Sequence, residues 1–79
     1  MNNTEKLYSA FAEALNIDTY AINDELKYQS ISQWDSISHM VLISTIEEKF
    51  NVSISTDDVI DMSSVGKAKE ILKKYTISF

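Results

Sequence analysis

The residues best suited to chemistry are the tripeptide Asp35-Ser36-Ile37, which follows Trp34 and precedes a long amphipathic segment. The pattern places the Ser36 hydroxyl in the first turn of a helix, where backbone N–H groups and the helix dipole favour a phosphate. No base accompanies this serine, so it is poorly placed for acid–base catalysis and well placed for modification by another enzyme. The alternative is a plain helix N-cap, a common position for serine, although Asp35 could be the cap instead.

Composition narrows the possible functions. The 79 residues are expected to form one domain over 1–79, with a core that buries only about 60–65% of the unfolded surface. No cysteine is present, so a thiol for thioester chemistry must come from a prosthetic group. A single histidine, His39, excludes a two-histidine metal site, and a single glycine, Gly66, excludes a glycine-rich phosphate loop.

Charge is distributed unevenly along the chain. Residues 1–61 hold eleven carboxylates and three lysines, a net charge of −8, whereas residues 62–79 hold four lysines and one glutamate, a net charge of +3, in agreement with the total of −5. An acidic body repels nucleic acid and favours basic protein partners. The longest apolar run, residues 40–43, is too short to span a bilayer, and no secretory segment is recognised, so a cytoplasmic protein is expected.

Periodicity predicts an all-α fold, a small four-helix bundle with a long first loop and a short third helix. The helices are predicted over 4–15 with Asn3 or Thr4 as cap, over 36–50, from a Ser55 or Thr56 cap to Asp61, and from about Ser64. The loop over 16–35 is predicted to be pinned to the core, with a short helical turn near Asn23–Leu26. Its apolar residues are Ile17, Tyr20, Ile22, Leu26, Tyr28, Ile31 and Trp34.

The second predicted helix has two apolar arcs at 100° per residue. The larger arc is predicted to face the core and contains His39, Leu42, Ile43, Ile46 and Phe50. The opposite arc holds Ile37, Met40 and Val41, bordered by Glu47 and Glu48. Because one helix packs only one arc on a small bundle, the second arc is predicted to be an exposed docking surface. The alternative is that the preceding loop covers it through Ile31 or Trp34.

These features together resemble the acyl carrier protein family over nearly the whole chain. The resemblance is carried by Asp35-Ser36-Ile37, Ile46-Glu47-Glu48-Lys49-Phe50, Val52-Ser53-Ile54, Asp57-Asp58 and Ser64-Val65. It implies that Ser36 carries 4′-phosphopantetheine, transferred from coenzyme A by a Mg-dependent phosphopantetheinyl transferase (holo-carrier synthase). Asp35 would belong to the recognition site of that transferase, near its metal, and partner enzymes would contact Ile37, Met40, Val41, Glu47 and Glu48.

The function implied by the resemblance is that of a free-standing, monomeric carrier that is not an enzyme. It would hold acyl groups as thioesters and present them to acyl- or aminoacyl-activating and transferring enzymes. Ser38 and Val41 stand where fatty-acid carriers usually have acidic residues. A tryptophan before the aspartate, here Trp34, resembles the pattern of discrete carriers outside primary fatty acid synthesis. Both features favour a specialised pathway. An aminoacyl carrier of the D-alanyl type or a peptidyl carrier is an alternative. An unmodified helical interaction module is an alternative of another class.

Other polar residues have structural interpretations. His39 is predicted to be a partly buried packing residue and Trp34 an anchor of the loop. Asp57, Asp58 and Asp61 do not match a calcium loop, which needs alternating oxygen ligands and a turn glycine. They are interpreted as helix-start residues and charges on the partner-facing side.

Overall fold

The computed structural model describes residues 2–79, and four α-helices account for its regular structure. They are α1 (Asn3–Leu15), α2 (Ser36–Phe50), α3 (Thr56–Asp61) and α4 (Val65–Lys73). A 3₁₀ turn covers Thr19–Ala21, and within residues 2–79 the β-structure is limited to one isolated bridge between Lys27 and Ser64. The predicted all-α fold, with its long first loop and short third helix, is confirmed. No helix among residues 2–79 is both long enough and apolar enough to cross a membrane.

The ends of α1 and α2 follow from the residues that cap them. The Asn2 side chain caps α1 by accepting the Glu5 N–H at 2.8 Å, so the predicted cap at Asn3 or Thr4 is wrong. Asn16 ends α1 and Asn51 ends α2, both in the left-handed conformation that asparagine tolerates well. The predicted bounds of α2 are confirmed.

Serines begin the two shorter helices. The Ser55 hydroxyl accepts the Asp58 N–H at 3.3 Å, which confirms Ser55 as the α3 cap, and the Ser64 hydroxyl accepts the Lys67 N–H at 3.0 Å. Each bond satisfies an N–H group that lacks a partner within its own helix. These caps explain how helices of six and nine residues have defined starts.

The core is built from one face each of α1, α2 and α4, together with Met62 and parts of the first loop. Its fully or nearly fully buried apolar residues are Leu7, Ala10, Phe11, Leu15, Ile22, Trp34, Leu42, Ile43, Ile46, Met62, Val65, Ala68, Ile71 and Leu72. The larger arc of α2 therefore faces inward, as predicted, although Phe50 is only partly buried. Burial of this apolar surface is the main force that holds the short helices together.

Backbone hydrogen bonds attach the first loop to the start of α4. The N–H groups of Val65 and Gly66 donate to the carbonyls of Leu26 (3.0 Å) and Asp24 (2.9 Å). A Cβ at position 66 would lie 3.1 Å from the Asp24 carbonyl oxygen, so glycine permits this close approach. The loop is thus pinned as predicted, by main-chain bonds as well as by apolar side chains.

Two predictions about the first loop are wrong. The helical turn lies at Thr19–Ala21, whereas Asn23–Leu26 is a tight turn closed by the Leu26 N–H and the Asn23 carbonyl at 3.1 Å. Tyr20 is not pinned to the core, because 88% of its surface is exposed. After the 3₁₀ turn Ile22 is buried, whereas the Tyr20 side chain within the turn is exposed.

Candidate functional site

Ser36 is the first residue inside α2, and Asp35 is its N-cap. The Asp35 Oδ1 accepts the N–H groups of Ile37 (3.1 Å) and Ser38 (2.9 Å). The interpretation of Ser36 as the N-cap is therefore wrong. The Ser36 side chain is exposed, and its hydroxyl makes no hydrogen bond to any residue between 2 and 79. The hydroxyl is free to react with a molecule from outside.

Ser38 completes a capping box with Asp35. Its Oγ accepts the Asp35 N–H at 2.9 Å and donates to the Gln33 carbonyl at 2.6 Å. Ser38 thus closes a small ring of bonds around Ser36. In the sequence analysis Ser38 is noted only as a difference from fatty-acid carriers. The spacing Asp-x-x-Ser is the signal from which its place as the third residue of a capping box could have been found.

The capping box also sets the electrostatics of the turn. The Ser38 backbone N–H, followed by the Ser38 side chain, lowers the pKa of Asp35 below its ordinary value. The carboxylate stays charged and occupies N–H groups that were expected to hold a phosphate. A phosphate on Ser36 would therefore gain from the helix dipole but would not reach the Ile37 and Ser38 N–H groups, which Asp35 already uses.

A hydrogen-bonded chain joins the residue before the site to α3. The Trp34 indole N–H donates to His39 Nδ1 at 2.9 Å, and His39 Nε2 lies 2.8 Å from the Val59 carbonyl. The neutral Nε2–H tautomer satisfies both partners, because Nδ1 must accept and Nε2 must donate. His39 is a half-buried packing residue and Trp34 a fully buried loop anchor, as predicted.

The outward arc of α2 is exposed. The exposed fractions are 77% for Ile37, 58% for Met40 and 49% for Val41, so neither the first loop nor Trp34 covers the arc. Ile60 of α3 is 74% exposed as well. Sequence reasoning missed Ile60, because a six-residue helix is too short for a periodic pattern to indicate which side faces solvent. We call these four residues the apolar strip.

A groove of about 310 Å³ separates the start of α2 from α3, directly beside Ser36. Its lining residues are Tyr28, Ser36, His39, Met40, Val59, Ile60, Met62 and Ser63. Met40 and Ile60 belong to both the groove and the apolar strip. The serine, the groove and the strip therefore form one continuous region.

The acidic residues near this region differ in exposure and in hydrogen bonding. Glu48 is exposed, whereas Glu47 is half-buried and its Oε2 accepts the Ile54 N–H at 2.8 Å, which fixes the segment after α2. Asp57 and Asp61 are exposed on α3. Glu47 thus has a structural bond in addition to any role on the surface.

Asp58 does not face a partner, contrary to the prediction. Only 6% of its surface is exposed, and its oxygens accept from the Lys74 ammonium, the Tyr75 hydroxyl (2.6 Å) and the Ser55 hydroxyl (3.1 Å). The Lys74 hydrogen bond, then that of Tyr75, lowers the pKa of Asp58. The physical reason for the difference is that the end of α4 supplies partners sixteen and seventeen positions later in the chain.

Comparisons with known proteins identify the family. The family model for a phosphopantetheine attachment site matches residues 5–72. The acyl carrier protein of Lactobacillus johnsonii is 30% identical over 70 residues, which are 89% of this chain and 88% of that protein. The acyl carrier protein of Chlamydia caviae is 30% identical over 73 residues, covering 92% and 95% of the two chains.

A third relative gives the same result. The acyl carrier protein of Acidothermus cellulolyticus is 30% identical over 78 residues, which cover 94% of this chain and 93% of that protein. No solved structure matches the chain significantly. The family match spans the capping box, the groove and the apolar strip. The chain therefore belongs to the acyl carrier protein family, whose members carry acyl groups on a covalently attached 4′-phosphopantetheine.

Proposed function

We propose that Ser36 is the residue that carries the phosphopantetheine arm. The observation behind this proposal is the contrast between two serines in one helical turn. The Ser38 hydroxyl is engaged on both sides by backbone groups, whereas the Ser36 hydroxyl is exposed and makes no bond within residues 2–79. The site fits the arm, because an exposed serine at a helix start accepts a phosphodiester without a clash and gains from the dipole, by about 0.3–1 kcal/mol.

The transfer itself requires one nucleophile from this chain. The Ser36 Oγ attacks the pyrophosphate phosphorus of coenzyme A that bears the pantetheine. The new O–P bond forms as the pyrophosphate P–O bond breaks, and adenosine 3′,5′-bisphosphate leaves with the bonding electrons. The Ser36 proton passes to a base of the transferase, since the Ser36 hydroxyl has no hydrogen bond to a basic group within residues 2–79. Asp35 contributes a charged carboxylate whose Oδ1 is used within the cap.

The same proposal covers the partners. The transferase and the acyl-transferring enzymes dock on the apolar strip, where Ile37 and Met40 stand beside Ser36 and their exposure supports direct contact. Glu48 and the outward side of Glu47 border the strip and attract basic partner surfaces. The chain acts as a monomeric carrier and not as an enzyme. It acts in the cytoplasm, where coenzyme A is present.

The cargo we propose is an acyl thioester in a specialised pathway. One observation keeps an aminoacyl or peptidyl cargo as a second candidate: two and five places after Ser36 the chain has Ser38 and Val41, where fatty-acid carriers usually have acidic side chains. Loading assays with acyl- and aminoacyl-activating enzymes distinguish the two cargoes. An unmodified interaction module predicts no loading at all.

Intact-mass spectrometry after incubation with coenzyme A and a phosphopantetheinyl transferase tests the proposal. We expect the wild type to gain one phosphopantetheine, located on Ser36 by peptide mapping, and Ser36→Ala to gain none. Ser32→Ala, which removes an exposed hydroxyl from the preceding loop, is the matched control and should gain the arm normally. An arm on Ser38, or an arm on Ser36→Ala, would refute the assignment.

A further inference from the structure

We propose that Ser38 is a positioning residue for the modification of Ser36, a role that rests on Ser36 being the attachment site. The hydrogen bonds of the Ser38 hydroxyl hold the turn that carries Ser36. The same bonds make the Ser38 hydroxyl less available for reaction. Its Oγ lies 2.6 Å from the Gln33 carbonyl and 2.9 Å from the Asp35 nitrogen. One hydroxyl therefore joins the residues on both sides of Trp34 to the first turn of α2.

Hydrogen bonds restrain the backbone on both sides of Ser36 and leave its hydroxyl unbonded within residues 2–79; we call this arrangement the frame. Before Ser36, the Trp34 side chain is buried and the Trp34 backbone N–H donates to the Ile31 carbonyl at 3.2 Å. After Ser36, the N–H groups of Ile37 and Ser38 are held by the Asp35 carboxylate. The backbone of Ser36 is thus restrained on both sides, while its hydroxyl is left unbonded within the described chain.

Such a frame matters for a phosphoryl-transfer step. The Ser36 Oγ must lie in line with the pyrophosphate bond that breaks, and a nucleophile on a restrained backbone reaches this geometry with less loss of entropy. The Ser38 hydroxyl contributes by fixing the Asp35 amide and the Gln33 carbonyl, and it touches neither coenzyme A nor the reacting atoms. It acts through Ser36, so its loss should slow the transfer and leave docking on the apolar strip intact.

The one proton of the Ser38 hydroxyl explains why Ser38 is not itself modified. The Oγ donates this proton to Gln33 and uses a lone pair for the Asp35 N–H. An attack by Ser38 would break both bonds and the capping box with them. The serine two positions earlier has no such cost.

Single-turnover and steady-state kinetics of arm transfer test the role of Ser38. Ser38→Thr and Ser38→Val form a matched pair, because both side chains are β-branched and only threonine has the hydroxyl. We expect kcat of Ser38→Val to fall about tenfold with KM within about twofold of the wild type, because positioning is lost and docking is kept. We expect Ser38→Thr to stay within about twofold in both parameters.

A distant cap variant separates positioning from stability. Asn2→Ala removes the N-cap of α1, at the other end of the bundle, where Lys6 contacts Phe50 at the end of α2. Its thermal midpoint should fall as that of Ser38→Val does, while its kcat stays unchanged below the transition. All assays are run at a temperature where circular dichroism shows each variant folded, and Ser38→Ala provides a second hydroxyl-free variant should valine disturb the turn.

The outcomes are distinct. Equal kcat for Ser38→Val and Ser38→Thr would overturn the positioning role, as would an equal loss of kcat in Asn2→Ala, which would point to stability alone. A loss that appears in KM alone would show that Ser38 contributes to docking and would also refute the inference. If peptide mapping finds no arm on Ser36 in the wild type, the proposed function fails first, and this result is recorded independently of the variants.

Discussion

Two aspartate–serine pairs with the same spacing begin successive helices, and they have opposite surroundings. At α2 the aspartate is the cap and the serine is the third helical residue, Asp35 with Ser38. At α3 the order is reversed, Ser55 with Asp58. Both pairs satisfy N–H groups at a helix start. The first pair lies at the surface beside Ser36, whose hydroxyl is unbonded within residues 2–79, whereas the aspartate of the second pair is buried and bonded to residues at the end of α4.

The difference shows how one local motif serves reactivity in one place and assembly in another. The capping box at α2 uses only groups within residues 33–38, so the apolar strip and Ser36 remain accessible. The pair at α3 recruits the Lys74 ammonium and the Tyr75 hydroxyl, so the same carboxylate chemistry joins α3 to α4. Position in the fold, rather than residue type, decides which aspartate borders the functional surface.

The two regions are connected through His39. Its Nδ1 accepts the Trp34 indole N–H on the site side, and its Nε2 bonds the Val59 carbonyl of α3 on the other side. The groove beside Ser36 lies between α2 and α3, and the bond from His39 to Val59 holds these two walls together. Changes to this connection, to either aspartate–serine pair and to the apolar strip should have separable effects of decreasing size.

Removing the Trp34 side chain should have the largest effect. Trp34 is fully buried, with its ring 5.2 Å from that of Phe11 and 6.0 Å from that of Tyr28. We expect Trp34→Ala to lower the free energy of unfolding by about 3–5 kcal/mol, because a large cavity forms and His39 loses its donor. Chemical denaturation measures this loss. Trp34→Phe is the matched variant, with a smaller loss, and a cost for Trp34→Ala below that of Trp34→Phe would contradict the anchoring role.

Breaking the α3–α4 connection should have an intermediate effect. Tyr75→Phe removes the hydroxyl that donates to Asp58 and accepts the Ser55 N–H at 3.0 Å. We expect a loss of roughly 1–3 kcal/mol in the free energy of unfolding, because a hydrogen bond to a charged group is lost. The rate of arm transfer to Ser36 should not change. Tyr20→Phe, at an exposed position, should shift stability by less than about 0.5 kcal/mol. Equal losses for the two variants would show that the hydrogen bonds of the Tyr75 hydroxyl to Asp58 and Ser55 contribute little.

The pattern of the sequence predicts the helices well and does not predict the burial of Asp58. The bounds of α2 and its inward arc follow from periodicity within the helix, because those residues repeat at fixed spacing. The cap of α2 was ambiguous, since Asp35 and Ser36 are adjacent and both are good caps, and a shift of one residue exchanges their roles. Only the structure distinguishes the capping residue from the free hydroxyl.

Long-range partners explain the remaining differences. From the sequence alone, Asp58 is a helix-start residue and a charge on the partner-facing side, because a carboxylate is favourable in the first turn of a helix. Its burial depends on Lys74 and Tyr75, whose approach follows from the path of the chain after α3. Tyr20 and Ile60 were misjudged or missed for a related reason, because short turns and short helices carry no periodic signal. Local pattern identifies elements, and packing between elements decides exposure.

Acid should weaken the fold through both pairs. The pKa values of Asp35 and Asp58 are lowered in the folded chain, by the Ser38 N–H and by Lys74 respectively. The unfolded chain then binds more protons, so their stabilisation is fully present above about pH 4, the ordinary aspartate pKa, and is lost as pH falls through the lowered folded values.

Thermal melts of the two asparagine variants across this acidic range should separate the contributions. We expect Asp58→Asn to reduce stability at neutral pH and to flatten the acid limb more than Asp35→Asn does, because Asp58 is buried beside a lysine. If the thermal midpoints of the wild type and Asp58→Asn fall identically as the pH is lowered, the contact between Asp58 and Lys74 does not contribute to stability.

Adding a charge to the apolar strip should have the smallest effect, and it should appear only in association rates. Val41 is half exposed and stands where fatty-acid carriers usually have an acidic residue, so Val41→Glu restores one rim charge without touching the core. Ser38 is left unchanged in this test, because its hydroxyl bonds the backbone before α2. We expect the association rate with a fatty-acid ketosynthase to rise by about two- to fivefold at low salt and to converge with the wild type at high salt, since steering by exposed charges is screened.

Val41→Gln separates charge from size in this experiment. Glutamine has nearly the same volume as glutamate and also replaces a β-branched residue, so any change in helix propensity is shared. Stopped-flow kinetics at two salt concentrations should show a faster rate for the glutamate variant alone. If the two variants bind equally fast at low salt, Glu47, Glu48 and Asp57 already supply enough negative potential. The uncharged strip would then carry no information about which pathway the protein serves, and the preference for a specialised pathway would lose its electrostatic basis.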